Sequence, residues 1–408
     1  METVRIGALE LATPLMLSPM AGVTNPPFRQ LCREQAEAGI KAAGAHVPSP
    51  STGALKGTFA PAGLWVCEMV TTRALIERRP KTMNMIQPDT CDPVRSIQLY
   101  GVSPRVTAEA IRILIEEEWA DHIDLNFGCP APKVTRRGGG SALPWKLDLF
   151  REIIQASVEA ARKASVKRGF EIPVTAKIRL GIDDTHETWK DAARIAEDLG
   201  VSALTLHGRT TAQYYSGRAA WQAIGELVDM VDIPVFGNGD VFDVDDAREM
   251  MGSTGCAGVA IGRGAQGRPW IFYNLAAWLH GADVHAQPTL GEVSEIILRH
   301  GELAIAHYDD ELKAMREMRG HIASYLRGFK LGGQVRDGFA RITTLDELRE
   351  RLSELDASQP YPKAADGRRG RAGAPKRPHL PEDWLDSREL TEKQRAKIAA
   401  AEIDISGG

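Results

Sequence analysis

The chain is short of cysteines that could act together. Cys32, Cys67, Cys91, Cys129 and Cys256 are odd in number and widely spaced, and no CxxC pair occurs. A disulfide framework or a structural zinc site is therefore not expected, and a reducing cytoplasm fits. A run of 18 apolar residues is also missing, so no membrane span is expected. The opening METVRIGALELATPLML carries acids and no long apolar stretch, unlike a signal peptide. Nor does one sign of charge dominate. Fifty Lys and Arg stand against 54 Asp and Glu, a net −4, so any polyanion must be met by a local patch. With 43% apolar residues, 408 residues can bury a sizeable core.

What the chain has is an alternation. Short apolar runs end in Gly, Pro, Asn or Asp and give way to helical spacing. They are PLMLSPM (14–20), GLWVCEM (63–69), RSIQLYG (95–101), HIDLNFG (122–128), PVTAKIRLG (173–181), SALTLHG (202–208), IPVFGNGD (233–240) and CAGVAIG (256–262). Stretches such as 105–119, 148–164 and 188–200 carry the helical pattern between them. These repeats predict an α/β chain whose residues 1–284 form a (β/α)₈ TIM barrel rather than an open doubly wound sheet. Residues 44–62, rich in Gly, Pro, Ser and Ala, read as an insertion before the second strand, away from the chemistry. Helical spacing resumes after a short linker and predicts a small all-α domain over 285–356. Residues 357–408 are dominated by Pro, Gly, Ala and charge, and read as a flexible tail with a short terminal helix at 388–402. Lys363, Arg368, Arg369, Arg371, Lys376 and Arg377 there face one acid, Asp366. The segment is either a solvated linker or an RNA-contacting arm.

In such a barrel the working residues lie at the C-terminal ends of the strands. Those ends are polar: Ser18-Pro19-Met20-Ala21, Glu68, Gln98, Asn126 with Cys129, Lys177 with Arg179, His207 with Arg209, Asn238-Gly239-Asp240, and Gly262-Arg263. The last two loops suit a phosphate, since Gly239, Gly262 and Gly264 let the backbone approach an anion and Arg263 adds charge. Lys177 and Arg179 are two apart and share one side of a strand. Two cations on an inward face are costly unless an anion meets them. With His207 and Arg209 on the next strand, the pocket suits a flavin mononucleotide. Its phosphate would lie at one end, and the ring edge that becomes negative on reduction beside a lysine. Gln98 and Asn126 could bond the ring edge or a substrate amide.

Cys129 stands in NFGCP, just past a strand end and between Gly and Pro, which is a poor place for a packing thiol. A thiolate nucleophile would need a lowered pKa. A metal ligand would need partner cysteines. A general acid needs only a thiol that stays protonated, and an unperturbed one titrates near ~8.5.

SPMAGVTNPPFR (18–29), DLNFGCPAPKV (124–134), GGSALP (139–144), PVTAKIRLG (173–181), LHGRTTAQYYSG (206–217), IPVFGNGD (233–240) and GVAIGRGAQGRPWIF (258–272) resemble the tRNA-dihydrouridine synthases, most closely the bacterial B-type. The resemblance runs from about residue 5 to 350 and includes REMRGHIASYLRGF (316–329). It implies an FMN-binding barrel, a helical domain that helps hold tRNA, and NADPH-driven reduction of the C5=C6 bond of a D-loop uridine. It assigns the flavin contacts to Pro19, Met20, Ala21, Gln98, Lys177, His207, Asn238, Gly239, Asp240, Gly262 and Arg263. The proton donor becomes Cys129, and Asn126, Arg179 and Arg209 fall near the target base. Neither a metal nor an obligate protein partner is implied.

The chain departs from the family pattern at Asn25, where Asp is usual, and in the 44–62 insertion and the tail. RNA contacts are expected from Lys133, Arg136, Arg137, Arg316, Arg319, Arg327 and Lys330. The competing readings are a flavin-dependent dihydropyrimidine- or dihydroorotate-type enzyme acting on a free base, and an RNA-binding protein without turnover.

Overall fold

The computed structural model describes residues 3–47, 57–88, 92–369 and 373–403. Eight parallel strand positions form the barrel: β1 (Leu15–Leu17), β2 (64–71), β3 (Ser96–Tyr100), β4 (His122–Phe127), β5 (Val174–Arg179), β6 (Ala203–His207), β7 (Val235–Asn238) and β8 (Gly258–Ile261). β2 is split. Leu64–Trp65 pairs with β1 and Val70–Thr71 pairs with β3, so the two halves are the opposite ends of one sheet and 66–69 joins them. The sheet thereby closes on itself, which removes both of its edges.

The bottom of the barrel carries a feature the apolar runs do not announce. Val4–Ile6 and Leu9–Leu11 form a hairpin, and Phe59–Ala60 adds a parallel third strand. Ile6, Leu9, Leu11 and Ala60 are buried with Met16, Leu64 and Phe236 from the barrel, and so plug its N-terminal end. The inserted segment thus returns to the barrel on the side away from the strand C-termini. Residues 48–56 lie outside the described residues.

Helix α1 (Pro26–Ala42) follows β1. Asn25 caps it by accepting the Phe28 N–H at 3.1 Å, and Pro26 and Pro27 occupy positions that need no donor. Asn therefore does at this position what a capping Asp would do.

Beyond the barrel, helices Leu290–Tyr308, Glu311–Tyr325, Gly333–Phe339 and Leu345–Ser353 surround a second core containing Val293, Ile297, Met315, Met318, Ile322, Phe339 and Leu348. Thr289 and Glu292 form a reciprocal capping box at its entrance. Leu31 of α1 and Trp270 contribute to this core, and the Phe28 ring packs against both His300 and His321, at 5.6 and 5.5 Å between centroids. No helix among the described residues is long and apolar enough to cross a membrane.

The tail expected to be flexible is pinned at several points. Arg369, buried, donates to the carbonyls of Ala365, Gln266 and Ser324, and Trp384, 1% exposed, donates to the Ala142 carbonyl. Between these anchors residues 373–383 belong to no helix or strand and are largely exposed, as the composition suggests. Single anchoring residues decide the path, and composition does not reveal them. The terminal helix is Glu392–Ile403.

At the foot of β4, Asp121 is fully buried and meets both Arg95 and Arg168 at 2.6 Å. Burial pushes its carboxyl up, but the hydrogen bonds and charge of the two guanidiniums outweigh that and hold it below the usual range. A depressed carboxyl stabilises the fold fully above its unfolded pKa, and the contribution fades as pH falls toward the folded value. Asp121→Asn should cost about 3–5 kcal/mol in urea unfolding at pH 7. The gap to the parent protein should shrink below about pH 4.

Candidate active site

The C-terminal ends of the strands surround a cavity of about 510 Å³. It is lined by Ser18, Pro19, Met20 and Ala21 after β1, Gln98 from β3, Asn126 and Cys129 at the end of β4, and Lys177 and Arg179 from β5. His207 ends β6, Asn238, Gly239 and Asp240 end β7, and Gly262, Arg263 and Gly264 follow β8. Every residue given a catalytic, cofactor or substrate role from the sequence lines it except Arg209, and the strand-end Glu68 lines an outer cleft instead.

Strand register explains the floor of the cavity. Gln98 lies beside Asp124, Asp124 beside Thr175, and Asn126 beside Lys177. Side chains of one parity all point inward, so neighbours in register touch. Gln98 donates to Asp124 at 2.7 Å, Thr175 donates to the other oxygen of Asp124 at 2.6 Å, and Asn126 donates to the Gln98 carbonyl at 2.7 Å. Below them His122 bridges Thr175 and Ser96 at 2.9 and 2.7 Å. Asp124 is pushed up by burial, against the opposing pull of Thr175, Gln98 and Lys177.

Above this ladder the site is cationic. Lys177 is pushed down to about 7, first by burial and then by Arg179, with Asp124 opposing. Its Nζ donates to Asn238 Oδ1 at 2.8 Å, and Asn238 in turn donates to the Ala260 carbonyl at 2.6 Å. His207 lies well below its usual value through burial and the charges of Arg179 and Lys177, so its ring is neutral. Burial likewise lowers Arg263. A site that strains its own cations toward neutrality favours an anion. The donor set therefore fits a cofactor with a phosphate near Gly262–Gly264 and an electron-rich ring edge near Lys177.

Arg209 departs from expectation. Its side chain is fully buried beside the cavity: Nη2 reaches both Asp240 oxygens at 2.8 and 2.7 Å and the Gly217 carbonyl, and Nε donates to the Ser216 carbonyl. Asp240 also accepts the Ala219 N–H at 2.8 Å. Arg209 holds the 216–219 loop to the β7 loop, and its other terminal nitrogen, Nη1, is buried without a hydrogen-bond partner. Arg179 does line the wall, yet it also donates to the carbonyls of Gly128, Thr210 and Tyr214. Tyr215 lies 4.6 Å from the Arg263 guanidinium, ring centroid to carbon.

The turn that carries Cys129 is set by Asn126, whose Oδ1 accepts the backbone N–H groups of Gly128 and Cys129 at 3.2 and 2.9 Å. Asn126 is thus a brace for the loop as well as a lining residue. Burial pushes the Cys129 thiol up, against the weaker pull of the Ala131 N–H, Arg179, Lys133 and Lys177. The thiol is therefore protonated at neutral pH. Cys129 stands where two spaces meet, because it lines the cofactor cavity and also an outer cleft of about 790 Å³. That cleft runs between the barrel rim and the helical unit. Arg79, Lys81, Lys133, Arg137 and Lys313 line it, together with Glu68, Glu317, His307 and Tyr308.

Of the basic residues expected to meet RNA, Lys133 and Arg137 line this cleft. Arg136 is exposed beside His379 at 3.4 Å. Arg319 instead ties its helix to the Ile342 carbonyl, and Arg316, Arg327 and Lys330 are exposed away from the cleft.

A dihydrouridine synthase family model matches residues 16–361. The chain belongs to the dihydrouridine synthase family. It is 50% identical over 382 residues to a probable tRNA-dihydrouridine synthase of Mycobacterium tuberculosis (strain ATCC 25618 / H37Rv), covering 93% of this chain and 92% of that one. It is 36% identical over 358 residues to tRNA-dihydrouridine synthase B of Pseudomonas putida (strain KT2440), covering 88% and 94%. Among solved structures, histamine dehydrogenase from Rhizobium sp. 4-9 aligns with a TM-score of 0.46 at 13% identity, over 88% of this chain and 65% of that one.

Asp124, Tyr214 and Tyr215 were not among the residues singled out from sequence. An acid at an inward parity of a buried strand is a readable signal for Asp124. The tyrosines sit in a loop whose path depends on Arg179 and Arg209, which local sequence does not disclose. Arg209→Met should lower the unfolding free energy by about 3 kcal/mol, because partly buried Asp240 loses its closest charge partner and keeps only Arg263 at 3.5 Å and the Ala219 N–H. Chemical denaturation measures this, and a change under 1 kcal/mol would mean that the ion pair does not organise the loop.

Proposed function

We propose that the chain makes dihydrouridine in tRNA by reducing the C5=C6 bond of a D-loop uridine, with FMN in the inner cavity, NADPH as reductant, and Cys129 as the acid. The observation that carries this reading is the place of Cys129, a protonated thiol on the boundary between a cation-lined cofactor cavity and a basic outer cleft. Residues Gly262–Gly264, Arg263 and the Asn238–Asp240 loop would hold the phosphate, and Lys177 the ring edge where negative charge gathers. FMN, when bound, would supply the hydride that adds to C6.

The chain's own groups do the rest. The uridine must leave its stack to enter from the cleft. Asn126 and Arg179, on one wall, would meet the uracil carbonyls and draw electron density from the double bond. The Cys129 S–H would give its proton to C5. A thiol raised by burial suits that role better than nucleophilic attack, which needs the thiolate. The basic cleft beside the helical unit favours an RNA over a free pyrimidine, since a free base needs no phosphate-binding margin.

Cys129→Ala should bind FMN and be reduced by NADPH at the parent rate, yet form dihydrouridine at least about 10²-fold more slowly, by mass spectrometry of tRNA. Normal product formation would remove the acid role. Lys177 generates a second test. Above pH ~7 it is neutral in the apoprotein, and the anionic ring edge of reduced flavin would restore its charge. The complex then holds more protons than its parts, so affinity for reduced FMN should fall as pH rises above ~7, by up to about tenfold per unit. Anaerobic titration calorimetry with reduced FMN should show proton uptake that disappears in Lys177→Met. Uptake unchanged in that variant would place the ring edge elsewhere.

A further inference from the structure

The segment after residue 361 lies beyond the family match, yet it runs along the rim of the site. From its anchor at Arg369 it reaches the β6 loop, where the Lys376 N–H donates to the Ala212 carbonyl at 2.8 Å and the Lys376 ammonium sits 5.4 Å from the Tyr214 ring centroid. It then crosses to the loop that follows Cys129. Trp384 enters there, donating from Nε1 to the Ala142 carbonyl at 3.0 Å. Two further clamps follow it. Buried Lys146 donates to the carbonyls of Ser387 and Glu389 at 2.7 and 3.0 Å. Arg388 donates to the Trp145 carbonyl and pairs with Asp191 at 2.8 Å.

The contact with the Cys129 loop is steric as well as polar. A Cβ on Gly138 would come within 2.6 Å of the Trp384 ring, so the indole lies directly on the backbone. Two residues on, a Cβ on Gly140 would come within 2.5 Å of the Cys129 carbonyl oxygen, and both glycines have positive φ, +77 and +55°. The same carbonyl accepts the Ser141 N–H at 3.1 Å and the Ser141 hydroxyl at 3.0 Å. An unbroken path of close contacts thus runs from Trp384 through Gly138–Ser141 to the backbone of Cys129. At the other end of that turn stand the Asn126 brace and Arg179, whose Nε donates to the Gly128 carbonyl at 2.8 Å.

We propose that this C-terminal strap positions the Cys129 loop and that Trp384 is the positioning residue through which it acts. The inference rests on Cys129 being the acid. A proton donor must sit within hydrogen-bond reach of the carbon it serves, and a displacement near 1 Å costs on the order of 10²-fold in rate. Trp384 touches neither cavity, so its effect must pass through the loop.

The test compares full-length parent, Trp384→Ala, Trp384→Phe, Arg388→Ala and Cys129→Ala, each loaded with FMN, on in-vitro-transcribed tRNA. Trp384→Ala should keep its flavin content and its rate of reduction by NADPH. Its kcat for dihydrouridine should fall about 10- to 100-fold, with KM for tRNA within about twofold. Amide hydrogen exchange should quicken across 138–142 and stay unchanged in the barrel strands. Trp384→Phe keeps a ring over Gly138 and should recover to within a few-fold of the parent. Arg388→Ala loosens the strap one clamp further on, so it should shift kcat in the same direction and decides the matter if Trp384→Ala does not fold. Faster loop exchange with unchanged kcat overturns the proposal. So does a raised, salt-dependent KM at unchanged kcat, which would make the strap an RNA-contacting arm. A fully active Cys129→Ala would overturn the acid assignment itself, whereas an inactive Cys129→Ala beside a normal Trp384→Ala defeats the strap alone.

Discussion

The alignment of β3, β4, β5 and β7 is the constraint from which the site follows. It sets Gln98, Asp124, Thr175 and Asn126 side by side on the inner face, and Lys177 against Asn238. Gln98, Asp124 and Thr175 are buried, Asn126 is half-buried, and each of these four finds a partner in the adjacent strand. A slip of one residue in any of these strands would turn its polar members outward and leave their partners unsatisfied in the barrel. The ladder therefore makes the register costly to change, and it also makes a floor of fixed hydrogen-bonding groups beneath the cavity.

That floor carries more positive charge than the protein balances locally. Arg209 and Arg263 share Asp240, at 2.7 and 3.5 Å, while Lys177 leans on the amide oxygen of Asn238. Burial pushes Lys177, Arg179 and Arg263 down together. Such a cluster costs stability in the protein alone. It is retained where a ligand brings the missing negative charge, which is the physical sense of a preorganised anion site. The neutral state of His207 in the same wall follows from that crowding and needs no separate cause.

The barrel was legible because its strands end on polar residues at regular intervals, and because inward parity could be counted along PVTAKIRLG and HIDLNFG. What was hidden depended on distance along the chain. The pairing of Arg209 with Asp240, 31 residues on, leaves no mark in the local sequence. The division of β2 depends on two neighbours that pair with its opposite ends, and no local pattern marks it. The tail's composition describes most of its exposed length correctly and says nothing of Arg369 or Trp384, each of which buries itself in a slot made elsewhere.

Phe28, packed against His300 and His321, belongs to the helix that begins directly after the Ser18–Thr24 loop. Leu31 and the Glu34–Arg299 pair continue the same seam. The helical unit is thereby bolted to one bank of the cavity, the bank that carries Pro19, Met20 and Ala21, while Cys129 stands on the opposite bank with different moorings. The span between the banks is then a property of the barrel's own circumference, like the gauge of a track laid before anything travels on it.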